Sequence, residues 1–535
     1  MSNVNSEMLS PILQEGAKIL TGLEQVLFKN IKACSLLKKL ISSSFGPDGL
    51  NKVLIQKTGK TIVTSDTVTI LDNLEHIHPS AKIIALSSLA QEQESGDSAG
   101  FVILLATELL NKSYDLIKQG FSISKIIESF EEAQDISLDI LETLAEHKVV
   151  DISDIKMVAS LLSLFVDFGH PGLQCYLAPQ IAYACVKSAF PEIKKFSPDN
   201  VRVIKILGGN FDQTKTIMGT VVIKDSEGAI KLVNKAIIAI FVCDFGISLP
   251  ETKSSIMFKS AKEILCYNDD ESYNIEEKIK KMSKIGVNVI VSTGFCDVSL
   301  FYLNKYKIMA IKIQSRFDLR RIARTCNSII LAKFKIPLMN ELGKCDMVSV
   351  RAFGLQRVIV FQQEYSQNKI FTIIARSNST IMLDNIERTV HRTTSVFKLL
   401  TRDSRFLPGA GACEIEICRR LTSFASKNYS GYKQYIIKKF AESFEIIPCT
   451  LIENNDQPIN KTLSALHRRH ADGNYFEGIN INKSSFVNVK EAGIWDSYTS
   501  KYWAIKHAIE ASLTVLTTSQ IIMAKKVKID EEVEN

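Results

Sequence analysis

Phe45-Gly46-Pro47-Asp48-Gly49 marks the first change of structure along the chain, because it ends a helical pattern and turns the backbone. Before it, apolar residues recur every three or four positions from Leu20 to Cys34, which predicts an amphipathic helix. After it, residues 52–56 and 61–64 predict a β-hairpin. Glycine allows close backbone approach and proline fixes a turn, so the stretch is either a phosphate loop or a plain turn, and a plain turn is the commoner outcome.

Outward from this turn, the chain consists of helical ends around a middle that contains strands. Further helices are predicted at residues 81–93, 101–119, 381–400, 414–426, 435–446 and 502–517. Short β-rich runs predict strands at residues 201–207, 236–242, 287–291, 308–313, 328–331, 358–362 and 371–375. Strands that alternate with helices predict an α/β middle domain, and the helical ends predict one domain built from both termini.

The composition narrows the class of protein. The 535 residues include 65 basic and 58 acidic side chains, and the net charge of +7 is too small and too dispersed to predict a nucleic-acid partner. Eleven cysteines without a CxxC spacing indicate reduced thiols and a cytoplasmic location. No apolar run approaches the roughly 18 residues that a membrane span requires, so we expect no membrane partner.

Two further glycine-containing turns each precede a predicted helix. Gly96-Asp97-Ser98 comes before the helix near Phe101, and Pro408-Gly409-Ala410-Gly411-Ala412 comes before the helix at 414–426. A helix N-terminus offers free N–H groups to an anion, and a carboxylate beside it can hold the Mg²⁺ of a nucleotide. Each turn alone is more often a simple cap, and the chain has no Walker loop or GxGxxG fingerprint, so the residues by themselves leave a nucleotide site and plain caps both open.

Taken together and in order, the motifs resemble the group II chaperonins along residues 8–526. The matching motifs are Phe45–Lys52, Thr64–Leu71, Gly96–Gly100, Leu407–Ala412 and Gly493–Asp496. Among the chaperonin subfamilies, the theta subunits of the eukaryotic cytosolic chaperonin (TRiC/CCT) are the most similar. That similarity lies in residues 91–94, 200–208, 317–321, 400–403, 437–442 and 501–506.

The resemblance implies a multidomain group II chaperonin fold. It assigns residues 1–142 and 400–535 to a mainly α equatorial domain that binds nucleotide and makes ring contacts. Residues 143–207 and 367–399 would form a small α+β intermediate hinge domain, and residues 208–366 an α/β apical domain for clients and lid. The implied assembly is a hetero-oligomeric, eight-membered double ring of paralogous subunits, which uses ATP to encapsulate and fold unfolded cytosolic clients such as actin and tubulin.

The resemblance also implies the ligands, which are ATP or ADP with Mg²⁺, and the residues that contact them. Asp97 would hold the Mg²⁺, Asp66 would lie near the γ-phosphate, and Asp496 with Lys501 would lie near the ribose and base. The implied nucleotide-binding residues are Phe45, Gly46, Pro47, Gly49, Asp97, Ser98, Ala99, Gly100, Phe101, Gly169, Gly411, Asp496 and Lys501.

Three departures from the family pattern predict weak hydrolysis. Where the family has Gly-Asp-Gly-Thr-Thr, this chain has Gly96-Asp97-Ser98-Ala99-Gly100, with fewer side-chain donors for phosphate. Gly169 stands where related subunits have a lysine that senses the nucleotide. Arg392 stands where the family has the aspartate that activates water, and arginine cannot act as a general base because it stays protonated. The sequence therefore predicts a subunit that binds nucleotide and hydrolyses it slowly or not at all.

Several alternatives stay open at this point. Arg392 either faces solvent as one exposed residue of its helix or lies beside the γ-phosphate and holds ATP in the ground state. If a carboxylate such as Glu387 or Asp384 replaces the lost aspartate, the subunit is a fully active ATPase. If the chain acts outside the ring, it is a non-catalytic interaction factor, although the retained site carboxylates disfavour this hypothesis.

Two other groups of residues are weaker candidates. His467 and His470 are three positions apart, but two neighbouring arginines and the lack of a third soft ligand favour a solvated helix end over a metal site. Residues 251–253 and 256–258 resemble the entry to the apical protrusion of the family. Exposed apolar side chains there would contact the lid or a client, and packing inside the apical domain is equally expected.

Overall fold

The computed structural model describes residues 18–20, 23–57, 59–74, 78–145, 147–148, 152–166, 171–190, 196–245, 261–354, 356–363, 370–480, 486–518 and 521–523. The chain forms two compact units, the first from Met1–Asp151 and Ser395–Asn535 and the second from Ile152–Thr394. The predicted separation of a hinge domain from an apical domain stays a prediction. Within the described ranges, no helix is both long and apolar enough to cross a membrane.

The first unit is mainly helical. Its helices are α1 (Leu23–Ser42), α2 (Thr67–Asp72), α3 (Pro79–Ser95), α4 (Ala99–Lys118), α5 (Ile123–Leu144), α12 (Ala412–Asn428), α13 (Gly431–Ser443), α14 (Ile446–Asn454), α15 (Ile459–Ala471), α16 (Val489–Ala492) and α17 (Tyr498–Leu516). Elements are numbered in chain order, so α6 to α10 belong to the second unit. Helix α11 (Thr380–Arg402) joins the sequences of the two units.

Helix α4 is the centre of the first unit because its N-terminal half is apolar on every side. Its residues Phe101–Ala106 are all buried, and a helical segment without a polar face must be covered all round. Helices α1, α3, α13 and α17 pack against it. In α13, the buried ring of Phe440 lies 5.1 Å from the ring of Phe130, in the edge-to-face geometry that aromatic pairs prefer.

Short strands connect the helices of the first unit. Strands β2 (Lys52–Ile55) and β3 (Thr61–Thr64) form the predicted hairpin. A three-stranded sheet has the order β19-β16-β4. The remaining bounds are β1 (Lys18–Leu20) paired with β20 (Ile521–Met523), β4 (His147–Lys148), β16 (Arg405–Pro408), β17 (Glu477–Ile479) paired with β18 (Phe486–Asn488), and β19 (Trp495–Ser497).

The second unit is built on a mixed sheet with the strand order β11-β9-β7-β13-β14-β6-β15-β5, and β12 lies beside β7. Its strands are β5 (Val201–Leu207), β6 (Lys215–Val222), β7 (Leu232–Phe241), β9 (Val289–Ser292), β11 (Met309–Lys312), β12 (Ile330–Leu331), β13 (Gly343–Phe353), β14 (Gln356–Gln362) and β15 (Phe371–Ser377), with the separate pair β8 (Asp244–Phe245) and β10 (Gly294–Phe295). Its helices are α6 (Ile155–Ser163), α7 (Pro171–Ala189), α8 (Ala261–Ile285), α9 (Asp297–Lys305) and α10 (Arg316–Cys326).

Most predicted elements are confirmed, and three regions correct the prediction. Strands β6 and β13 lie in the middle of the sheet but were absent from the predicted runs. The helix predicted at 435–446 is wrong at its end, because α13 stops at Ser443 and α14 begins at Ile446. Residues 251–253 and 256–258 lie outside the described residues.

Candidate nucleotide site

The turn between α3 and α4, residues Gly96–Ser98 (the α4 turn), is made by two left-handed residues. Gly96 has a φ of +71°, and Ser98 has a φ of +67°. For a residue with a side chain this conformation costs roughly 1–2 kcal/mol, so a glycine would adopt it more easily than Ser98 does. Ser98 makes no side-chain capping hydrogen bond to α4, so its hydroxyl does not occupy the N–H groups of the first turn.

A buried glutamine fixes the backbone of the α4 turn. Gln91 is 0% exposed, and its Nε2 donates to the carbonyl oxygens of Asp97 at 3.3 Å and Ser500 at 2.9 Å. The hydroxyl of Ser500 also donates to Ser98 Oγ at 3.3 Å. These bonds tie α17 to the α4 turn and hold Asp97 at the start of α4.

The predicted turn at Phe45–Gly49 (the Phe45 turn) meets the N-terminus of α4. Asn454 Nδ2 donates to the carbonyl oxygen of Phe45 at 2.7 Å, which ties α14 to this turn. Gly46 has a φ of +87°, and a Cβ there would lie only 2.7 Å from Leu451. A Cβ on Gly100 would lie 3.1 Å from Phe45, so the two turns are in close contact.

Asp66 caps α2 beside the same helix end. Its Oδ2 accepts from the backbone N–H of Thr69 at 3.1 Å and from the Thr69 hydroxyl at 2.6 Å. The next residue, Thr67, places its Oγ1 3.1 Å from the position of a Cβ on Gly100. Asp66 therefore directly precedes Thr67, which lies beside the N-terminus of α4.

A third turn, Pro408–Gly411 (the Gly409 turn), leads from β16 into α12. Strand β16 pairs with β19, and Leu407 lies opposite Asp496. A Cβ on Gly409 would lie 3.3 Å from Asp496 Oδ1, so glycine leaves this carboxylate room. Gly411 has a φ of +79° and precedes α12, whose first turn has no side-chain cap.

Lys501 is buried behind Asp496. Its Nζ lies 3.0 Å from Asp496 Oδ2, 2.5 Å from Glu414 Oε1 and 4.5 Å from the ring centre of Phe101. Burial alone would lower the pKa of Lys501, but the charges of Asp496 and Glu414 outweigh it and raise the pKa. Lys501 is 7% exposed, so its ammonium is placed to hold Asp496 rather than to reach far into solvent.

Replacing Lys501 by methionine is expected to lower the free energy of unfolding by roughly 3–5 kcal/mol, because Glu414 would be left buried without its cation. Glu414 is 1% exposed, and its Oε2 has no hydrogen-bond partner among the described residues. Thermal unfolding of the purified chain measures the loss. Lys506→Met, in the same helix with its Nζ 5.3 Å from the Trp503 ring centre, is the control and should change little. Equal effects of the two variants would contradict the role of Lys501.

Comparison with known proteins identifies the family at this point. Residues 37–526 match the model of the TCP-1/cpn60 chaperonin family. The chain belongs to this family. It is 40% identical to T-complex protein 1 subunit theta of Bos taurus and of Homo sapiens, over 96% of this chain and 94% of each relative. The subunit theta of Caenorhabditis elegans is 36% identical over the same shares. The predicted resemblance to chaperonin theta subunits is confirmed.

The predicted site residues of this chaperonin chain fall into two groups. The Phe45 turn, the α4 turn, Asp66, the Gly409 turn and the pair Asp496–Lys501 are all brought together in the first unit. Arg392 belongs to the second unit, where it is half-buried in α11. Gly169 lies outside the described residues. Gln91, Asn454 and Glu414 support the site but were not predicted as part of it.

The two candidate substitute carboxylates already share a cation. Lys205 Nζ lies 2.8 Å from Asp384 and 2.8 Å from Glu387. Each of these carboxylates is thus already engaged by a lysine within the second unit. The alternative that one of them replaces the lost aspartate is therefore disfavoured.

The interpretation of residues 467–470 as a solvated helix end is wrong for His470. His470 is 1% exposed, and its Nδ1 lies 3.2 Å from Glu416 Oε2. His467, three residues earlier in α15, is partly exposed and pairs with Glu445 at 3.1 Å. The described residues contain no group of three or more His, Cys, Asp or Glu side chains that could hold a metal ion.

Glu416 predicts an acid-dependent loss of stability. Burial alone would raise its pKa, but hydrogen bonds from His470, Arg419 and Arg420 lower it from 4.5 to about 2. Because the folded value is lowered, the stabilisation of about 3 kcal/mol is present above pH 4.5 and is lost as the pH falls through about 2.

Unfolding of Glu416→Gln against wild type over this pH range measures that loss. The variant should be less stable at pH 7, and the difference should shrink below pH 4.5. Glu510→Gln, which removes an exposed carboxylate of α17, is the control. A difference that stays constant down to pH 2.5 would contradict the assignment.

Proposed function

We propose that this chain is a subunit of a cytoplasmic, hetero-oligomeric double-ring chaperonin that encapsulates and folds unfolded proteins with ATP. Membership of the TCP-1/cpn60 family and the similarity to theta subunits support this function. We propose further that the subunit binds nucleotide and hydrolyses it slowly or not at all. The observation that supports binding best is the convergence of the Phe45, α4 and Gly409 turns in one unit.

The proposed binding mode uses backbone groups for the phosphates. The uncapped N-terminus of α4 offers N–H groups and the positive end of a helix dipole, both of which favour phosphate. Asp97 would hold Mg²⁺ there, since Mg²⁺ commonly takes one or two protein carboxylates and completes its shell with phosphate oxygens and water. Asp97 also accepts from Ser98 Oγ at 3.3 Å, which orients its carboxylate.

The other end of the nucleotide would meet the Gly409 turn. Gly411 presents bare backbone at the start of α12, and Asp496 can accept hydrogen bonds from ribose hydroxyls. Lys501 fixes the direction of the Asp496 carboxylate through its 3.0 Å ion pair. At this end of the proposed site no nucleotide-binding residue of the family is missing, because Gly411, Asp496 and Lys501 all match the family pattern.

Slow hydrolysis is proposed from the chemistry of the missing groups. Removing a general base typically costs 10²- to 10⁴-fold in rate, and Arg392 has no proton-accepting form at neutral pH. Ala99 and Gly100 supply no side-chain donors where the family has hydroxyl residues. Ser98 adds a backbone cost that a glycine would not have.

Isolation of the native assembly tests ring membership. The chain would be tagged at one terminus in cells of its source, and the purified complex would be analysed by native mass spectrometry. The proposal predicts a double ring in which this chain occurs with paralogous subunits. A lone chain, or a small complex with unrelated partners, would contradict it and would favour a non-catalytic factor outside the ring.

A further inference from the structure

His470 lies between three elements of the first unit and has hydrogen-bond acceptors on both sides. Its ring is in α15, its Nδ1 lies 3.2 Å from Glu416 Oε2 on α12, and its Nε2 lies 2.9 Å from the carbonyl oxygen of Glu477 on β17. The side chain is 0% exposed, so water cannot readily replace either partner. A neutral imidazole donates from only one nitrogen, and the carbonyl oxygen can only accept.

Glu416 is also restricted to accepting. Arg419 Nη2 and Arg420 Nε each donate to Glu416 Oε1 at 2.6 Å, and Arg419 Nε donates to Oε2 at 3.0 Å. These charge-assisted bonds hold Glu416 in the carboxylate form at neutral pH. Both ring nitrogens of His470 therefore face acceptors, and only the doubly protonated imidazolium donates to both.

Two other carboxylates near α15 have partners of their own. From the side of α14, Glu445 pairs with His467 at 3.1 Å. From β17, the Glu477 side chain pairs with Arg469 at 2.7 Å. Glu416 is thus the carboxylate that faces His470, and the ion pair is buried on both sides.

Strand β17, which His470 holds through Glu477, lies directly against the Gly409 turn. The N–H of Ile479 donates to the carbonyl oxygen of Ala410 at 3.0 Å. A Cβ on Gly478 would lie only 2.8 Å from the Cβ of Ala410, so strand and turn are in close contact. The turn leads into α12, which contains Glu416. The contacts therefore run from Glu416 through His470 and β17 back to the turn that precedes α12.

We propose that His470 is a buried imidazolium that fixes β17 against the Gly409 turn and thereby positions the backbone that receives the nucleotide. His470 is a positioning residue, because it acts through Glu477, Ile479 and Ala410. The consequence for nucleotide affinity rests on the proposed function, whereas the charge of the ring and the order of the turn do not.

The test uses the full-length chain with ¹⁵N-labelled histidine. A long-range ¹H–¹⁵N correlation at pH 7.5 reports whether each ring nitrogen of His470 is protonated, and His470→Gln assigns the signal. In wild type both nitrogens should be protonated. In Glu416→Gln, where an amide can donate to Nδ1, one nitrogen should become the unprotonated type.

Two further readouts separate positioning from a merely structural role. Hydrogen exchange of the Ile479 amide should be faster in His470→Gln, and the Kd for Mg²⁺·ADP should rise on the order of tenfold, as expected for loss of one charge-assisted bond. His467→Gln, on the same helix but paired with Glu445, is the matched control and should leave both unchanged.

One unprotonated ring nitrogen of His470 in wild type would overturn the inference, as would unchanged exchange of Ile479 in a folded His470→Gln. Failure of wild type to bind Mg²⁺·ADP would overturn the proposed function instead. In that case the ring protonation and the Ile479 exchange would still decide the inference, because neither depends on nucleotide.

Discussion

Replacement of Asp97 by alanine is expected to weaken the binding of Mg²⁺·ATP by about a hundredfold or more, since loss of even an outer-shell partner of a bound metal typically costs 10- to 100-fold. Asp97 is the carboxylate at the start of α4, and Gln91 and Ser98 hold its backbone and side chain in place. Isothermal titration of the full-length chain with Mg²⁺·ATP measures the change.

The control for Asp97 is Asp48→Ala, which removes an exposed carboxylate from the Phe45 turn. This variant should bind Mg²⁺·ATP as wild type does. Chelation of Mg²⁺ should reduce the affinity of wild type to that of Asp97→Ala and should have little effect on the variant. An unchanged Kd in Asp97→Ala, or an equal loss in Asp48→Ala, would contradict the assignment of Asp97.

Replacement of Arg392 by aspartate together with Ser98 by glycine is expected to raise the rate of ATP hydrolysis by about 10²- to 10⁴-fold, the range that a general base contributes. The aspartate would restore the group that the resemblance to the family implies at this position for the activation of water. The glycine removes the cost of the left-handed backbone at Ser98, where φ is +67°. Single-turnover hydrolysis of radiolabelled ATP by the assembled complex measures the rate.

Arg402→Asp is the matched control, because it makes the same charge change at an exposed position of α11. It should leave hydrolysis unchanged. Arg392→Asp without the glycine should give a smaller gain if the phosphate contacts of the α4 turn also limit the rate. No gain in the double variant, with nucleotide affinity retained, would contradict the view that Arg392 occupies the position of a lost base.

The periodicity of apolar residues predicted α1, α3, α4, α11, α12, α13 and α17 because packing follows it directly, but it gave no bounds for α5 or for α6 to α10. The core of the first unit depends on apolar helix faces such as that of α4, and these are visible in the sequence. Strand β6 was missed because Gly219 interrupts its apolar run. Strand β13 was missed because Lys344, Asp346 and Arg351 leave it without a continuous apolar run, although neighbouring strands hydrogen-bond it on both sides.

The glycine-containing turns of the site could be proposed from sequence because glycine before a helix is a local signal. Gln91 and Asn454 could not, since each reaches a backbone carbonyl that is 409 positions away in the chain. His470 was misinterpreted because its sequence neighbours Arg468 and Arg469 indicate solvent. Leu466 and His470 lie four residues apart on one buried face. The burial of a helical residue therefore follows the face on which it lies and not its neighbours in sequence.

Single-turnover hydrolysis in a ring whose other subunits are all disabled tests whether this subunit hydrolyses ATP slowly or not at all. Every paralogue would be made unable to hydrolyse ATP, this chain would be left unchanged, and bound ATP and ADP would be quantified over time. We expect this subunit to retain ATP and to convert it slowly or not at all. Conversion at the rate of an ordinary active chaperonin subunit would show that the retained residues suffice for hydrolysis and that the proposed slow turnover is wrong.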